Sequence, residues 1–396
     1  MGKTVLVVLF SLQSIFASSV SLEKILESAN KNGSLTQAIS QENLSREAGN
    51  KAENASHPLE LYGSISQADP MVGNRAKEYS VGISKNLILD DILQQESEIN
   101  HLINQAIFSE DEKTVLDFNN GLKDLYHQHC IDKNIYQSVN RSYESFLKLY
   151  RKKQQAYRYQ EISKVELIRL EVEKESLYAQ LKEVHRKQEI SRENLLRVGH
   201  LAHNQMMLCT DIYPIRSETL PNGDHFAYTK DAYQKRMKSL QKKVQRYDNS
   251  FESIELSMQY DKEMDMDRYS VGVSIPLNFT SQRSEQKRLE ALYQSSALQQ
   301  RHEHTMMQKQ NDLSTLQSEL KNRVILIESL RLNLKKYQNH LLPLMDKSYN
   351  IGESSVIDYL LTQERYHQLQ QEYYANQKSY YHTLFKLYTH IEKKDQ

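Results

Sequence analysis

Histidine and methionine residues lie close together at several points of the sequence and could bind a soft metal ion. The chain has 14 His and 11 Met, and His302 and Met306 are four residues apart. That spacing places both side chains on one face of a helix. Imidazole and thioether groups suit copper or silver ions. The alternative is that the histidines lie on the surface and the methionines fill gaps in packing. His302 and Met306 are therefore candidate metal ligands and no more.

The sequence contains no pattern of reactive side chains that predicts an enzyme. The sequence has no glycine-rich phosphate loop, nucleophile elbow, zinc-type Cys and His spacing or paired catalytic carboxylates. We therefore expect no catalysis and no cofactor. The 51 Lys and Arg residues balance the 51 Asp and Glu residues, which gives no electrostatic reason to expect a nucleic-acid partner.

The N-terminus predicts export. Residues 1–19 comprise Lys3, an apolar run and small residues ending at Ser19, as in a secretory signal peptide. A buried N-terminal helix is the alternative, and no cysteine follows the run to carry a lipid anchor. No later stretch is long and apolar enough for a membrane-spanning helix.

Cys130 and Cys209 are the only cysteines, and we expect unpaired thiols, although an oxidising compartment would allow them to pair.

Two tracts of the sequence are much longer than the helices of ordinary globular domains. Gly121 is the only helix-breaking residue from 91 to 198, and Pro343 is the only one from 281 to 351. The second tract has a heptad seam of apolar residues, with Arg323 in its one gap: Leu313, Leu316, Leu320, Ile327, Leu330, Leu334, Tyr337, Leu341 and Leu344. An apolar stripe resumes after Gly352, which predicts two antiparallel helices joined there.

The two halves of the chain follow one pattern. EYSVGISKNLIL at 78–89 matches RYSVGVSIPLNF at 268–279, an offset of 190, and 157–166 aligns with 349–358, an offset of 192. We therefore predict a mainly α protein with a small β part, built from a first repeat at 20–205 and a second at 206–396. The first contains a helix, a hairpin at 58–89 and long helices at 91–200. The second contains a linker and helix, a hairpin at 251–279 and long helices at 281–391.

Each hairpin alternates apolar residues with small or polar ones. The apolar side, on which Lys85 is the exception, is defined by Tyr79, Val81, Tyr269, Val271 and Val273. Strands of about ten residues with this alternation suit a transmembrane β-barrel, with lipid outside and water inside. Four strands cannot close a barrel, so two copies would give eight strands and three would give twelve. The alternative is a pair of half-buried hairpins packed on the helices, with turns near 69–70 and 264–265.

The whole pattern resembles the TolC family of outer-membrane efflux proteins. The resemblance is carried by YSVGVSIPL at 269–277 and by LPLMDKSYNIGESSVIDYLLTQ at 342–363. The second stretch matches the family's Pro-Leu, Tyr-x-x-Gly and Ser-x-x-Asp pattern. The resemblance implies a homotrimer in the cell outer membrane, with a 12-stranded β-barrel and an α-barrel of antiparallel coiled-coil helices that extends across the periplasm. The implied partners are outer-membrane lipid, a periplasmic adaptor (membrane fusion) protein and an inner-membrane pump of the RND type.

The same resemblance places the periplasmic aperture at the turns between paired helices. Gly352 lies in the second turn, Asp358 matches an acidic residue of the family's constriction, and Glu166 is its counterpart in the first repeat. A carboxylate near a threefold axis becomes a ring of three that attracts cations. The alternative for Asp358 is a first-turn acid that stabilises its own helix, and the two roles are compatible. Gln160 departs from the family, which favours Gly there.

These features predict a passive exit duct of a tripartite efflux pump, with the partner pump supplying the energy. The His and Met clusters favour heavy-metal cations as cargo. Drug or multidrug efflux and type I secretion are alternatives within the same family. A periplasmic coiled-coil adaptor is an alternative from another class, against which the two lipid-suited hairpins argue.

Overall fold

The computed structural model describes residues 19–69, 75–216, 225–248, 251–263, 266–277 and 282–392. Residues 1–18 of the predicted signal peptide, the hairpin turns at Pro70 and at 264–265, and residues 278–279 of the predicted second hairpin lie outside these residues. The elements, in chain order, are β1 (Ser19–Val20), α1 (Leu22–Asn32), α2 (Ser34–Glu53), β2 (Glu60–Ala68), β3 (Ala76–Ile88), α3 (Asp90–Arg158), α4 (Lys164–Val198), β4 (Met206–Met207), α5 (Ala227–Arg246), β5 (Ser253–Lys262), β6 (Asp267–Ser274), α6 (Arg283–Lys336), a π-helical turn (Tyr337–Leu341), α7 (Leu342–Asn350) and α8 (Val356–Ile391).

Long helices dominate the chain, and the predicted mainly α fold with a small β part is confirmed. The described residues fall into two compact units. We call residues 19–37, 116–216 and 313–392 the coiled-coil unit, and the remaining described residues the sheet unit. Among the described helices, none has both the length and the apolar composition needed to cross a membrane.

The sheet unit contains one antiparallel sheet with the strand order β2-β3-β5-β6, so the two hairpins pair with each other through β3 and β5. In its register Ile83 pairs with Leu61 and Met258, which pairs in turn with Val271. Directly opposed residues share a face of a sheet. The register therefore unites the apolar positions of all four strands on one face and the small and polar positions on the other.

The apolar face of this sheet is exposed. The solvent-accessible fractions are 46% for Tyr79, 53% for Val81, 80% for Tyr269, 75% for Val271 and 64% for Val273. The other face is closely packed near Gly82, where an added Cβ would lie 2.4 Å from the ring of Tyr62. Glycine is thus required at position 82 so that the Tyr62 ring can lie across the polar face and donate a hydrogen bond from its hydroxyl to Gln259 Oε1.

The predicted heptad seam of the second tract holds only in its first part. Leu313, Leu316, Leu320, Ile327 and Leu330 are buried, and Arg323, in the gap, donates a hydrogen bond to Asn376 Oδ1 of α8 at 2.9 Å.

The prediction of a buried seam is wrong at Leu341 and Leu344, because their side chains are 39% and 65% exposed. A π-helical turn adds one residue at this point, and the backbone amide of Leu342 donates to the carbonyl of Tyr337. Pro343 accounts for the change, because it has no N–H and its ring crowds the carbonyl four residues earlier. The side chains that follow are consequently rotated, and Tyr349 rather than Leu344 is buried.

The expectation of two unpaired thiols is wrong, because Cys130 and Cys209 form a disulfide with a Cα–Cα distance of 5.6 Å. Cys130 lies in the middle of α3, and Cys209 follows β4. The short parallel pairing of β4 with β1 and a buried cluster that includes Leu122, Leu195 and Met207 bring the two cysteines together. The two cysteines are 79 residues apart in the chain, so no local sequence pattern indicated that they pair.

Candidate functional site

Two turns between paired helices lie in the coiled-coil unit, and their backbones are alike. The first turn joins α3 to α4 and the second joins α7 to α8. Gln160 has a φ of 63° and Gly352, its partner at the offset of 192, has a φ of 81°. Both positions are in the left-handed region, which glycine adopts freely and other residues adopt at a cost of roughly 1–2 kcal/mol. The first turn therefore keeps the geometry of the second despite its glutamine.

Each turn ends in a serine that begins the next helix. The hydroxyl of Ser163 accepts a hydrogen bond from the backbone amide of Glu166 at 3.1 Å, and that of Ser355 accepts one from the amide of Asp358 at 3.2 Å. These are N-caps, which satisfy amides that have no partner within the helix. The two carboxylates predicted for the aperture thus occupy the same helical position, three residues after the cap.

The carboxylate of Glu166 is engaged by the neighbouring helical hairpin. The hydroxyl of Tyr349, on α7, donates a hydrogen bond to Glu166 Oε1 at 2.6 Å. Lys153, on α3, has its Nζ 3.8 Å from the same oxygen and 3.8 Å from the centre of the Tyr349 ring. Burial, followed by the hydrogen bond to Glu166, raises the pKa of the Tyr349 hydroxyl well above its usual value, so the phenol remains a donor. Glu166 therefore ties α4 to α7.

The carboxylate of Asp358 is exposed to solvent. Its Oδ2 accepts a hydrogen bond from the Ser355 hydroxyl at 2.6 Å, so this contact stays within one turn. A negative charge here also suits the positive end of the α8 dipole. The helix-capping role considered for Asp358 is thus present, and its carboxylate still faces water. Gly352 lies in the same turn, where an added Cβ would meet nothing within 4 Å.

A small core supports both turns. Its buried members are Phe146, Tyr150, Leu170, Leu177, Tyr349, Val356 and Tyr359. The rings of Tyr349 and Tyr359 stack with their centres 4.9 Å apart. Sequence reasoning placed Glu166 at the aperture but missed Tyr349 and Lys153 as its partners. The only available signal was the alignment of Tyr157 with Tyr349, which marks the turn and says nothing about side-chain contacts.

The architecture can be compared with that of known proteins. No protein-family model and no curated protein sequence matches this chain. Solved structures do match it. CusC has a TM-score of 0.77 at 13% identity, with 95% of this chain and 93% of that chain covered. The CmeC outer membrane channel of Campylobacter jejuni gives 0.74 at 14% identity, with 94% and 87% covered. The open-state MtrE outer membrane channel of Neisseria gonorrhoeae gives 0.71 at 16% identity, with 93% and 88% covered.

The chain has the TolC fold. The likeness covers more than nine tenths of the sequence. It confirms the resemblance predicted from the residues at 269–277 and 342–363. At identities of 13–16% the likeness is one of fold.

A cavity of about 520 Å³ lies in the coiled-coil unit of this TolC fold, between α3, α4, α6, α7 and α8. Two carboxyl groups line it. Burial, with a smaller contribution from the nearby Glu364, raises the pKa of Glu173. Burial also raises the pKa of Asp346, against the opposing effect of a hydrogen bond with Tyr359. No sequence pattern pointed to either side chain or to this cavity.

The candidate metal ligands His302 and Met306 lie on α6 in the sheet unit. The ring of His302 stacks on that of Tyr233 with a centroid distance of 3.7 Å and an angle of 6°. Burial lowers the pKa of His302, which favours the neutral ring. Within the described ranges, no group of three or more His, Cys, Asp or Glu side chains is placed to hold a metal ion. The stacking gives His302 a packing role.

Proposed function

We propose that the chain is the outer-membrane exit duct of a tripartite efflux system, acting passively as a homotrimer. The observation that carries the proposal is the sheet in the TolC fold, because it exposes an apolar face and leaves two strands, β2 and β6, at its edges. Unpaired edges and an exposed apolar face are both unfavourable in water. Pairing β6 of one copy with β2 of the next, in a ring of three, closes twelve strands and turns the apolar face toward lipid.

The dimensions and composition of the strands fit this role. The four strands are 8 to 13 residues long, close to the roughly 9–11 residues that a tilted strand needs to span a bilayer. Tyr79, Tyr260 and Tyr269 gather toward the turn end of the hairpins, with the last two rings 5.1 Å apart. Such aromatic residues suit the membrane interface. Lys85, at the opposite end of β3, can extend its ammonium group to the other interface.

The disulfide favours an exported location for the protein. Disulfides form and persist mainly outside the cytosol, and the Cys130–Cys209 pair bonds two cysteines 79 residues apart. A periplasmic coiled-coil adaptor would also be exported, but it would have no use for the exposed apolar sheet. We therefore place the sheet in the outer membrane and the helical turns in the periplasm, where an adaptor protein and an inner-membrane pump, of the RND type, would meet them.

A matched pair of substitutions tests the placement in the membrane. Val271 and Ser270 are adjacent in β6 and lie on opposite faces of the sheet. Val271→Arg should place a charge in lipid at a cost of about 2–4 kcal/mol and abolish recovery of trimer from the outer-membrane fraction. Ser270→Arg should be recovered as wild type is. Equal recovery of the two variants, or a wild-type protein that stays monomeric and soluble without detergent, would defeat the proposal.

Asp358 would then line the periplasmic aperture, near Gly352. Its exposed carboxylate becomes one of three around the axis, a ring that attracts cations. Glu166 would instead hold the aperture's helices together. Asp358→Ala should alter cation conductance and selectivity in planar bilayers, and unchanged values would refute the ring.

Heavy-metal cations are the cargo that we propose for this duct. The support is the number of His and Met residues in the sequence. Deletion of the gene should sensitise cells to copper, silver, cadmium, zinc or nickel more than to dyes and detergents. Greater sensitivity to dyes and detergents would favour drug efflux through the same fold.

A further inference from the structure

The segment 206–216, which we call the strap, is held against α3 by contacts on both sides of Cys209. The Tyr126 hydroxyl donates a hydrogen bond to the carbonyl of Leu208 at 2.6 Å and accepts one from the amide of Asp211 at 3.3 Å. The amide of Tyr213 donates to His127 Nε2 at 3.0 Å. These contacts fix the strap's backbone immediately before and after the cysteine.

His127 can accept this hydrogen bond because its ring is neutral. The side chain is completely buried, and its Nδ1 lies 2.7 Å from the carbonyl of Lys123, to which it donates. Burial lowers the pKa of His127 to about 4, outweighing the opposing hydrogen bond to Lys123. A neutral ring that donates through Nδ1 must accept through Nε2. The strap therefore docks on a preformed acceptor.

The two cysteines have very different surroundings. Cys130 lies one helical turn after Tyr126, is completely buried and packs with Leu195 and Leu196. Cys209 lies in the irregular part of the strap, at the border of the same cluster, and is only partly buried. Attack on a disulfide needs a thiolate and access to the sulfur, and buried apolar surroundings disfavour both.

We propose that the Cys130–Cys209 bond is made in a fixed order, in which Cys209 reacts first with an external disulfide and Cys130 resolves the product. The Cys209 thiolate attacks one sulfur of an oxidised protein or small-molecule disulfide, forms a mixed disulfide and releases one thiolate of the oxidant. Docking of the strap then brings this mixed disulfide to Cys130. The Cys130 thiolate attacks Cys209 Sγ, forms the observed bond and releases the second oxidant thiolate.

The two steps balance. Two cysteine thiols lose two electrons and two protons, and the oxidant gains both electrons directly and both protons by way of the solvent, so it ends as two thiols. The docking contacts of Tyr126 and His127 supply the second step with proximity, because they set the two Cα atoms 5.6 Å apart, a normal disulfide separation. Thiol–disulfide exchange thus links the docked strap covalently to α3. The inference does not depend on the proposed channel function.

Glutathione disulfide is a suitable probe of this order. The purified full-length chain in detergent would be reduced to two free thiols, checked by mass, and then mixed with glutathione disulfide. Samples would be acid-quenched, alkylated and mapped by peptide mass spectrometry. The wild-type chain should carry a transient glutathione adduct on Cys209, about tenfold more abundant than any on Cys130. The same chain in guanidinium should show adducts at nearly equal rates, because the difference comes from the fold.

Two variants separate the steps. Cys130→Ser should accumulate the Cys209 adduct nearly to completion, because nothing resolves it, whereas Cys209→Ser should acquire an adduct on Cys130 about tenfold more slowly. An adduct that appears first on Cys130 in the wild-type chain, or at equal rates on both cysteines, would overturn the order. So would a Cys130→Ser chain that collects no adduct. The wild-type measurement decides the matter even if a variant folds poorly.

Discussion

The two helical turns of the coiled-coil unit have one backbone and two different carboxylates. Gln160 and Gly352 share a left-handed conformation, and Ser163 and Ser355 make the same N-cap. Glu166, however, accepts a hydrogen bond from α7, while Asp358 bonds only within its own turn and remains exposed. The two turns thus share one geometry, but the acids that follow them have separate roles: Glu166 joins helices and Asp358 faces water.

Removal of the Glu166 carboxylate should lower the stability of the protein more than any other change in the two turns. In Glu166→Ala the buried hydroxyl of Tyr349 loses its acceptor, and Lys153 loses its nearby negative charge. Hydrogen bonds to charged groups contribute about 1.5–3 kcal/mol, so the free energy of unfolding should fall by about that amount. Thermal unfolding in detergent, followed by circular dichroism, would measure the loss.

Asp358→Ala is the matched control, because it removes the carboxylate at the same helical position after the other turn. Its cost should be about 0.3–1 kcal/mol, the size of a first-turn charge effect. Tyr349→Phe removes the inter-helix bond from the other side and should not add to the loss in Glu166→Ala. Equal losses in Glu166→Ala and Asp358→Ala would show that the two carboxylates have the same role after all.

Substitutions at the two left-handed positions should change the stability by a smaller amount, and in opposite directions in the two turns. Gly352→Ala places a Cβ where φ is 81° and nothing lies within 4 Å, so its cost of about 1 kcal/mol is purely conformational. Gln160→Gly relieves the same strain in the first turn and should raise stability by up to about 1 kcal/mol, less the entropy that glycine loses on folding. Melting temperatures of the two variants and of the double variant would measure both effects. A loss of stability in Gln160→Gly would show that the glutamine side chain makes a stabilising contact.

Much of this comparison could be predicted from the sequence. The offset of 192 residues aligned Gln160 with Gly352 and Glu166 with Asp358, and the structure gives each pair the same backbone position. The alternation of residues in the hairpins likewise predicted which side chains share a face, because a strand's period of two is a property of the backbone. Local geometry was therefore accessible from patterns alone.

The rest depends on contacts between segments that are distant in the chain. The bond from Tyr349 to Glu166 spans 183 residues and the disulfide spans 79, and no local pattern encodes either. The heptad seam failed beyond Leu330 for a different reason. Pro343 was visible in the sequence, but its effect could be a kink, an end or a π-helical turn, and only the turn rotates Leu341 and Leu344 out of the core.

The smallest change in stability should come from Glu173, and its dependence on pH would show how this acid of α4 differs from Glu166. Glu173 lies seven residues after Glu166, but burial and the nearby Glu364 raise its pKa instead of giving the carboxylate a stabilising partner. A carboxyl group whose pKa is higher in the folded state binds its proton more tightly there. Its contribution to stability is therefore fully present below the unfolded pKa, about 4.3, and is lost as the pH rises through the folded value.

Glu173→Gln should consequently raise the melting temperature at pH 7 to 8, by less than Glu166→Ala or Gly352→Ala lowers it. It should leave the melting temperature unchanged near pH 3, because the carboxyl group is protonated there in both the folded and the unfolded chain. Glu171→Gln, on the same helix with an exposed side chain, is the matched control and should not raise the melting temperature at pH 7 to 8. If Glu173→Gln were less stable than wild type at neutral pH, the carboxylate would have a favourable partner, and α4 would carry two bridging acids instead of one.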